Sequence, residues 1–435
     1  MGGLALLARD RGYEVSGCDA NIYPPMSKIL EDQKINLVQG YDLDDLPDVD
    51  LYIIGNALSR GNPLIEFLLD NKKEFLSGPE WMAKNILHDR KVLAISGTHG
   101  KTTTTSMCSW ILDYAGIDAG FLIAGKPKNF DSSSRLGSHE IFIIEADEYD
   151  TAFFDKRAKF VHYNPEILVI NNLEFDHADI YKDIGSIQTQ FHHLIRTMPS
   201  KGHILFPEND ENIQEVISQG SWSNIVTYGD QSISDWNYKS VNEDFSIFEI
   251  SFKDKIQEVD WSLIGEYNAQ NALVSVMACK ELGVPIKNSC EALSTFKGVD
   301  RRLDLIYQDN NISIYDDFAH HPTAIRKTLK SLKSKYPNSR IISLIELGSN
   351  TMRSGLHDEE LNNSIIDSDL VFWKSKNFDQ EDRLIKENKS KCKKIKDNEE
   401  FIDSFVSELK NGDIVVFMSN GNFSSLGKRI INRLN

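Results

Sequence analysis

Residues 91–116 read KVLAISGTHGKTTTTSMCSWILDYAG. Val92 to Ile95 is a short apolar run, the pattern of a buried strand, and Met107, Trp110, Ile111 and Tyr114 recur at the spacing of one helix face. Between them lies Gly97-Thr98-His99-Gly100-Lys101-Thr102, followed by Thr103. Glycine admits positive φ and close approach, so such a loop can turn several backbone N–H groups toward one anion, and the helix behind it adds partial positive charge. Lys101 brings a full charge and Thr102 a hydroxyl suited to Mg²⁺. The stretch predicts a strand, a phosphate-binding loop and a helix. It is a shorter variant of the GxxxxGK[ST] pattern, because Ile95 stands where that pattern has its first glycine. The bland alternative is a glycine turn with a solvated lysine; the correct strand before it and helix after it argue against that.

The chain around this stretch has 435 residues, more than one hydrophobic core usually serves, so two or three domains are expected. Forty-eight basic residues against 65 acidic ones give a net charge of −17. That balance argues against general nucleic-acid binding and requires any anionic ligand to be held by local groups. Five scattered cysteines without metal spacing suit a reducing compartment. No apolar run reaches membrane-spanning length and no secretory signal pattern opens the chain, so a cytoplasmic protein without membrane insertion is expected.

Upstream, a helix in LALLARD is followed by a strand ending at Asp19. Strand-like runs at 36–38, 50–54 and 74–76 then alternate with helical stretches near 25–32, 63–70 and 80–87. Alternation of this kind predicts a parallel sheet. The strand and glycine turn that open a dinucleotide-type unit do not precede the first helix, so residues 1–90 are expected to form a Rossmann-like domain with its first strand missing. Asp19 stands where such folds place an acid against a sugar or base, a solvated loop aspartate being an equal alternative.

Downstream, EIFIIEADEYD (140–150) reads as a buried strand delivering Glu145, Asp147 and Glu148 at its end. A second strand at 167–170 delivers NNLEFDHADIY with Glu174, Asp176 and His177. Ligands of open α/β sheets collect at such strand ends, and acids beside a phosphate loop suit a magnesium and ATP site. A helix is expected over 184–198, strands at 203–206 and 224–228, edge strands or a hairpin within 231–262, and a long helix from 265 to 282. Asn268 and Asn271, three apart, could read a nucleobase edge or serve as caps. From Arg301 a third α/β alternation begins: strands at 312–315, 340–345, 370–373 and 413–417, with Asp316-Asp317 and His320-His321-Pro322 after the first.

GTHGKTTT (97–104), EADEYD (145–150), NLEFDHADIY (172–181), GEYNAQN (265–271), DRRLD (300–304) and YDDFAHHPTA (315–324) together resemble the Mur ligase family, the ATP-dependent enzymes that build the peptidoglycan stem peptide on UDP-N-acetylmuramate. The resemblance implies an α/β, three-domain architecture: a UDP-sugar-binding Rossmann-like domain at 1–90, a central P-loop ATPase domain at 91–298 and a C-terminal Rossmann-like domain at 299–435. ANIYPPM (20–26), IIGNALSRGNP (53–63), SGPEWM (77–82) and AFFDKRAKFVHYNP (152–165) look closest to the member that attaches recycled L-alanyl-γ-D-glutamyl-meso-diaminopimelate in one step. The alternatives are the L-alanine-adding member and a catalytically silent ATP-binding homologue.

The resemblance implies that Gly97, Thr98, His99, Gly100, Lys101, Thr102 and Thr103 hold the ATP phosphates, with Thr102 also on Mg²⁺ and with Glu145 and His177 on a second magnesium. It further implies that Asn268 and Asn271 face adenine, that Arg302 and Asp317 meet phosphate and ribose, and that Asp19, His320 and Asn350 meet substrate. Lys101, His177 and Arg302 would carry the catalysis. The partners implied are UDP-N-acetylmuramate and the muropeptide tripeptide. Besides the missing first strand, three features depart from the family pattern. Phe191 and His192 stand where many members carry a carbamylated lysine, Tyr267 where histidine is frequent, and Gly348 where an arginine is expected.

Overall fold

The computed structural model describes the chain except residues 24, 25, 230–233, 310 and 422, and except the side chains of Asn350 and Ser424. Pro24 and Pro25 of the ANIYPPM segment, the start of the 231–262 stretch and the proposed contact of Asn350 therefore lie outside what is described. The chain divides into two compact units: Met1–Phe175, Ile180–Asn237 and Val274–Leu293 make the first, and Asp176–Asp179, Tyr238–Leu273 and Ser294–Asn435 the second.

The first unit opens with helix α1 (Gly2–Asp10), strand β1 (Ser16–Asp19), α2 (Met26–Asp32) and β2 (Asn36–Gln39), and continues through β3 (Tyr52–Ile54), α3 (Pro63–Asp70), β4 (Phe75–Ser77) and α4 (Gly78–Met82). The strands pair in parallel as β1 with β2 and β3 with β4. Sequence chemistry sets the helix starts. Asn62 accepts from the Leu64 N–H with Pro63 at the first helical position, and Ser77 accepts from the Glu80 N–H.

There follow β5 (Lys91–Ser96), α5 (Lys101–Tyr114), β6 (Gly120–Leu122), β7 (Ser134–Arg135), β8 (Ile141–Glu145), β9 (Asp150–Ala152), β10 (Asp155–Ala158), β11 (Ile167–Ile170), α6 (Ile184–Ile195), β12 (His203–Pro207), α7 (Glu211–Ser218) and β13 (Asn224–Tyr228). Strands β6, β8, β5, β11, β12 and β13 lie side by side in parallel, with β7 antiparallel on β6. Ala94, Ile95, Phe142, Ile143, Leu168 and Val169 are all buried, which explains why these strands read as continuous apolar runs.

Helix α5 departs from its simple amphipathic reading. Met107 and Ile111 are fully buried, but so are Cys108 and Leu112, while Tyr114 is 45% exposed. The apolar stripe is not the whole buried face because the hydroxyl residues are buried too. Thr105, Ser106 and Ser109 each donate to the carbonyl one turn back, at 2.7–2.8 Å, so their polarity is satisfied within the helix. Trp110 donates to the Ala292 carbonyl at 2.9 Å.

β14 (Trp236–Ser240) precedes β15 (Ile247–Phe252) and β16 (Lys255–Asp260), which form an antiparallel hairpin in the second unit. Helix α8 (Glu266–Glu281) and α9 (Ile286–Leu293) come next. The remainder of the second unit holds β17 (Asp304–Gln308), β18 (Ile312–Asp317), α10 (Pro322–Lys335), β19 (Ile341–Leu347), β20 (Leu370–Ser375), β21 (Cys392–Lys394) and β22 (Asp413–Met418), with further helices between the last four strands. Their sheet runs β17-β18-β22-β19-β20-β21, parallel except for the antiparallel edge strand β17. Two apolar clusters line its faces, one around Leu329, Leu344 being in the other, so both faces are covered.

Candidate active site

In the first unit Ile95 of β5 pairs with Glu145 of β8 and Val169 of β11, and Ser96 pairs with Ile170. This register brings the loop 97–100, the acidic end of β8 and the Asn171-Asn172 end of β11 to one carboxyl edge, where open parallel sheets place their ligands. Gly97 and Gly100 adopt φ of 118° and 85°. At Gly97 a Cβ would stand 2.9 Å from the Asn172 carbonyl and 3.0 Å from the Asn171 nitrogen, so both backbone conformation and close approach require glycine there.

Asn172 locks the loop. Its carbonyl accepts from the Thr98 N–H at 3.2 Å, its Oδ1 from the His99 N–H at 2.8 Å, and its Nδ2 donates to the His99 carbonyl at 3.1 Å. The Thr98 hydroxyl accepts from the Glu174 N–H at 2.9 Å. Thr98 and His99 thus direct their N–H groups to Asn172, and the first-turn N–H groups of α5, behind Gly100, have no acceptor within the helix.

Around the loop three carboxylates have three different partners. Glu145 accepts from the Thr102 hydroxyl at 3.1 Å through Oε2 and from the Ala124 N–H at 2.7 Å through Oε1. Glu148, 2% exposed, faces the Lys101 ammonium at 3.0 and 3.3 Å. Asp147 faces the Lys159 ammonium at 3.1 Å. Burial pulls the pKa of Lys101 down, but Glu148 and then Asp147 more than reverse this, leaving it above its ordinary value.

Lys159 comes from the AFFDKRAKFVHYNP segment, which forms the β9–β10 hairpin and a turn of tight helix at Lys159–His162. At the hairpin tip Phe153 and Phe154 pack on Phe75 of β4, with ring centroids 6.4 and 5.2 Å away. Asp155 accepts from the Arg157 guanidinium and lies 3.0 Å from His162, and this brings its carboxyl down to about 2. Phe160 is buried against Phe191, centroids 5.0 Å apart. The position where the resemblance led one to look for a carbamylated lysine is therefore core, completed by a residue of the hairpin segment.

Asp19 ends β1 and accepts from the Asn21 N–H at 2.8 Å. The other candidates lie in the second unit. His177, in the left-handed region at φ 59°, has its N–H on the Asp176 carboxylate at 2.7 Å. Burial raises the Asp176 carboxyl, but His177, its N–H, His320 and His321 outweigh that and hold it below the ordinary range. His320 contacts the Phe318 carbonyl at 2.9 Å, and His321 caps α10 through Thr323. The Arg302 guanidinium lies 4.5 Å over the Phe318 ring. Asp317 accepts from the Leu303 and Ala319 N–H groups at 2.5 and 2.6 Å; burial outweighs them and raises its carboxyl to about 6. Asn268, inside α8, donates its amide to the Ile264 carbonyl at 2.8 Å, which is not a cap, and Asn271 is buried. Burial, then Asp317, pushes the Tyr267 hydroxyl up.

Sequence reasoning assigned no role to Asn172 or Lys159, and placed Glu148 among the acids of a magnesium and ATP site without pairing it to Lys101. For Lys159 a signal existed: a three-carboxylate loop needs cations, and the lysine-bearing segment follows it directly.

Three sequence models cover successive parts of the chain: "Mur ligase family, catalytic domain" residues 1–90, "Mur ligase middle domain" residues 95–279 and "Mur ligase, glutamate ligase domain" residues 301–421. The chain is 45% identical over 449 residues to the UDP-N-acetylmuramate–L-alanyl-gamma-D-glutamyl-meso-2,6-diaminoheptandioate ligase of Escherichia coli K12, covering all of this chain and 96% of that one. Identity to the ligase of the same name from Haemophilus influenzae is 42% over 441 residues, with the same coverage. Among solved structures, a murein peptide ligase from Psychrobacter arcticus matches at TM-score 0.78 and 41% identity, over all of this chain and 96% of its own.

Proposed function

The chain belongs to the Mur ligase family, and from that premise we propose that it is the ATP-dependent ligase that joins L-alanyl-γ-D-glutamyl-meso-diaminopimelate to the lactyl carboxylate of UDP-N-acetylmuramate, in peptidoglycan recycling. The observation that carries this reading is a phosphate-loop sequence seated between strand and helix, with half-buried Lys101 and the Thr102–Glu145 pair, in a chain 45% identical end to end to a ligase of that name. The division at 1–90, 91–298 and 299–435 belongs to the same proposal, as does a cytoplasmic location. Among the described residues no helix is long and apolar enough to cross a membrane.

A carboxylate is a poor electrophile. Transfer of the terminal phosphoryl group of ATP to the lactyl carboxylate releases ADP and converts the carboxylate oxygen into part of a good leaving group. The amine of the tripeptide's alanine then bonds to the carbonyl carbon, the bond to the phosphate oxygen breaks, and the amine gives up one proton. Lys101 and the first N–H groups of α5 are assigned to the phosphoryl oxygens, where charge builds during transfer. Thr102 and Glu145 offer oxygen donors 3.1 Å apart, the donor class that Mg²⁺ takes, so the residues fit that ion. When bound, Mg²⁺ supplies charge neutralisation at the phosphates. The assignments of His177 to the metal and of Asn268, Asn271, Arg302 and Asp317 to the nucleotide rest on family resemblance.

Phosphate release tests the reading. It is expected to require ATP, UDP-N-acetylmuramate and the tripeptide together. Release supported by free L-alanine and not by the tripeptide would assign the protein to the L-alanine-adding reaction instead.

A further inference from the structure

The three hydrogens of the Lys101 ammonium are directed into the site itself. Nζ lies 2.6 Å from the Gly97 carbonyl, 3.4 Å from the Thr98 carbonyl, and 3.0 and 3.3 Å from the two Glu148 oxygens. The Lys101 side chain is 16% exposed and that of Glu148 3%, so water does little to screen the pair. The lysine is thus folded back over its own loop. The neighbouring carboxylates are held elsewhere, Asp147 by Lys159 and Glu145 by Thr102 and the Ala124 N–H, which leaves Glu148 as the carboxylate directly on the ammonium. A polyphosphate brought to Lys101 would place a second anion beside a buried carboxylate already there.

We propose that Glu148 is the counter-ion of Lys101 before nucleotide binds, a positioning residue that holds the ammonium within the phosphate loop and is exchanged for phosphate oxygens when nucleotide binds. This rests on the ATP-ligase reading of the loop. The exchange makes Glu148 a competitor of the nucleotide. Glu148→Gln preserves size and hydrogen bonding but removes the competing charge, so phosphate becomes the sole anion offered to the buried cation at that point.

The experiment measures ADP binding by calorimetry to the full chain in EDTA, and again with Mg²⁺, for wild type, Glu148→Gln and Glu148→Asp. In EDTA, Glu148→Gln is expected to bind ADP tighter by on the order of tenfold or more, while Glu148→Asp, which keeps the charge, stays near wild type. The ADP-induced rise in melting temperature should also be larger for Glu148→Gln than for wild type. Equal or weaker ADP binding by Glu148→Gln in EDTA overturns the proposal, and so does weakening confined to Mg²⁺, which would make Glu148 a metal ligand. Independently of any variant, a crystal structure of the wild type with an ATP analogue should show Lys101 parted from Glu148; an intact 3 Å pair beside bound nucleotide overturns it as well. A wild type that binds no nucleotide would fail the ligase reading itself, a different outcome from wild-type binding without tightening in Glu148→Gln.

Discussion

Lys101→Met separates what Lys101 does for the fold from what it does for the reaction. The substitution leaves the Glu148 carboxylate, 2% exposed, without the cation at 3.0 Å that now balances it. Breaking a buried pair from one side typically costs about 3–5 kcal/mol, because the surviving charge remains desolvated. Removing both charges in Lys101→Met/Glu148→Gln eliminates that penalty, so the double variant should recover most of the loss. Ligation should follow another pattern. Loss of a preorganised charge at a transferring phosphoryl group raises the barrier by about 3–4 kcal/mol, a hundred- to thousandfold in turnover, and restoring stability does not restore the ammonium. The assay is a double-mutant cycle in urea unfolding, paired with phosphate release under saturating substrates. A Lys101→Met protein as stable as wild type, or a coupling energy near zero, would show that the two groups do not balance each other. A double variant that regains turnover would remove Lys101 from the chemistry.

Three further outcomes are expected. Gly97→Ala should destabilise the first unit by roughly 1–3 kcal/mol in urea unfolding and weaken ADP binding, because φ of 118° and contacts of 2.9–3.0 Å to the Asn171-Asn172 backbone leave the new methyl no room. Asp317 has its carboxyl raised to about 6 from 3.8, so the folded state holds its proton more tightly than the unfolded state. The resulting penalty is absent below the unfolded value and grows as pH rises through the folded one, reaching about 3 kcal/mol; Asp317→Asn should flatten the difference in stability between pH 4 and 7, and an unchanged profile would contradict the burial argument. Lys159→Met should lower stability by about 1 kcal/mol or less, as its pair with Asp147 is partly exposed. The Mg²⁺ concentration needed for half-maximal ligation should fall with it, as the loss of the ammonium leaves the Asp147 charge unbalanced beside the loop, and Lys159→Arg should restore it.

The fold was legible where strands are buried on both faces. Val92–Ile95, Ile141–Ile144 and Ile167–Ile170 read as apolar runs because parallel sheets with covered faces leave no polar alternation, and the glycines between strand and helix fixed the loop. The burial of α5 was legible only in part, since its serine and threonine hydroxyls satisfy themselves on the preceding turn and so hide a buried face behind polar residue names. The same limit applies to the site. Lys101, Thr102 and Glu145 could be found from residue type and strand ends. Asn172 could not, and Glu148 was found as a site acid but not as the partner of Lys101, because an asparagine that clasps a loop and a carboxylate that holds a lysine look in sequence like their solvated neighbours.

The partition of charge around the loop also bears on a wider constraint. A protein of net charge −17 that binds a polyphosphate must keep cations near the loop without leaving them to seek other anions. Here Glu148 holds Lys101 and Asp147 holds Lys159, while Glu145 accepts from the Thr102 hydroxyl and the Ala124 N–H. The Asp147 pair depends on Lys159 staying where the hairpin puts it. The hairpin is anchored at its aromatic tip on Phe75 and at its base by Phe160 on Phe191. The position of Lys159 beside the loop is therefore fixed by apolar packing of the AFFDKRAKFVHYNP segment, and substitutions at Phe160 or Phe191 should shift the Mg²⁺ requirement of ligation in the same direction as Lys159→Met although neither ring carries a charge.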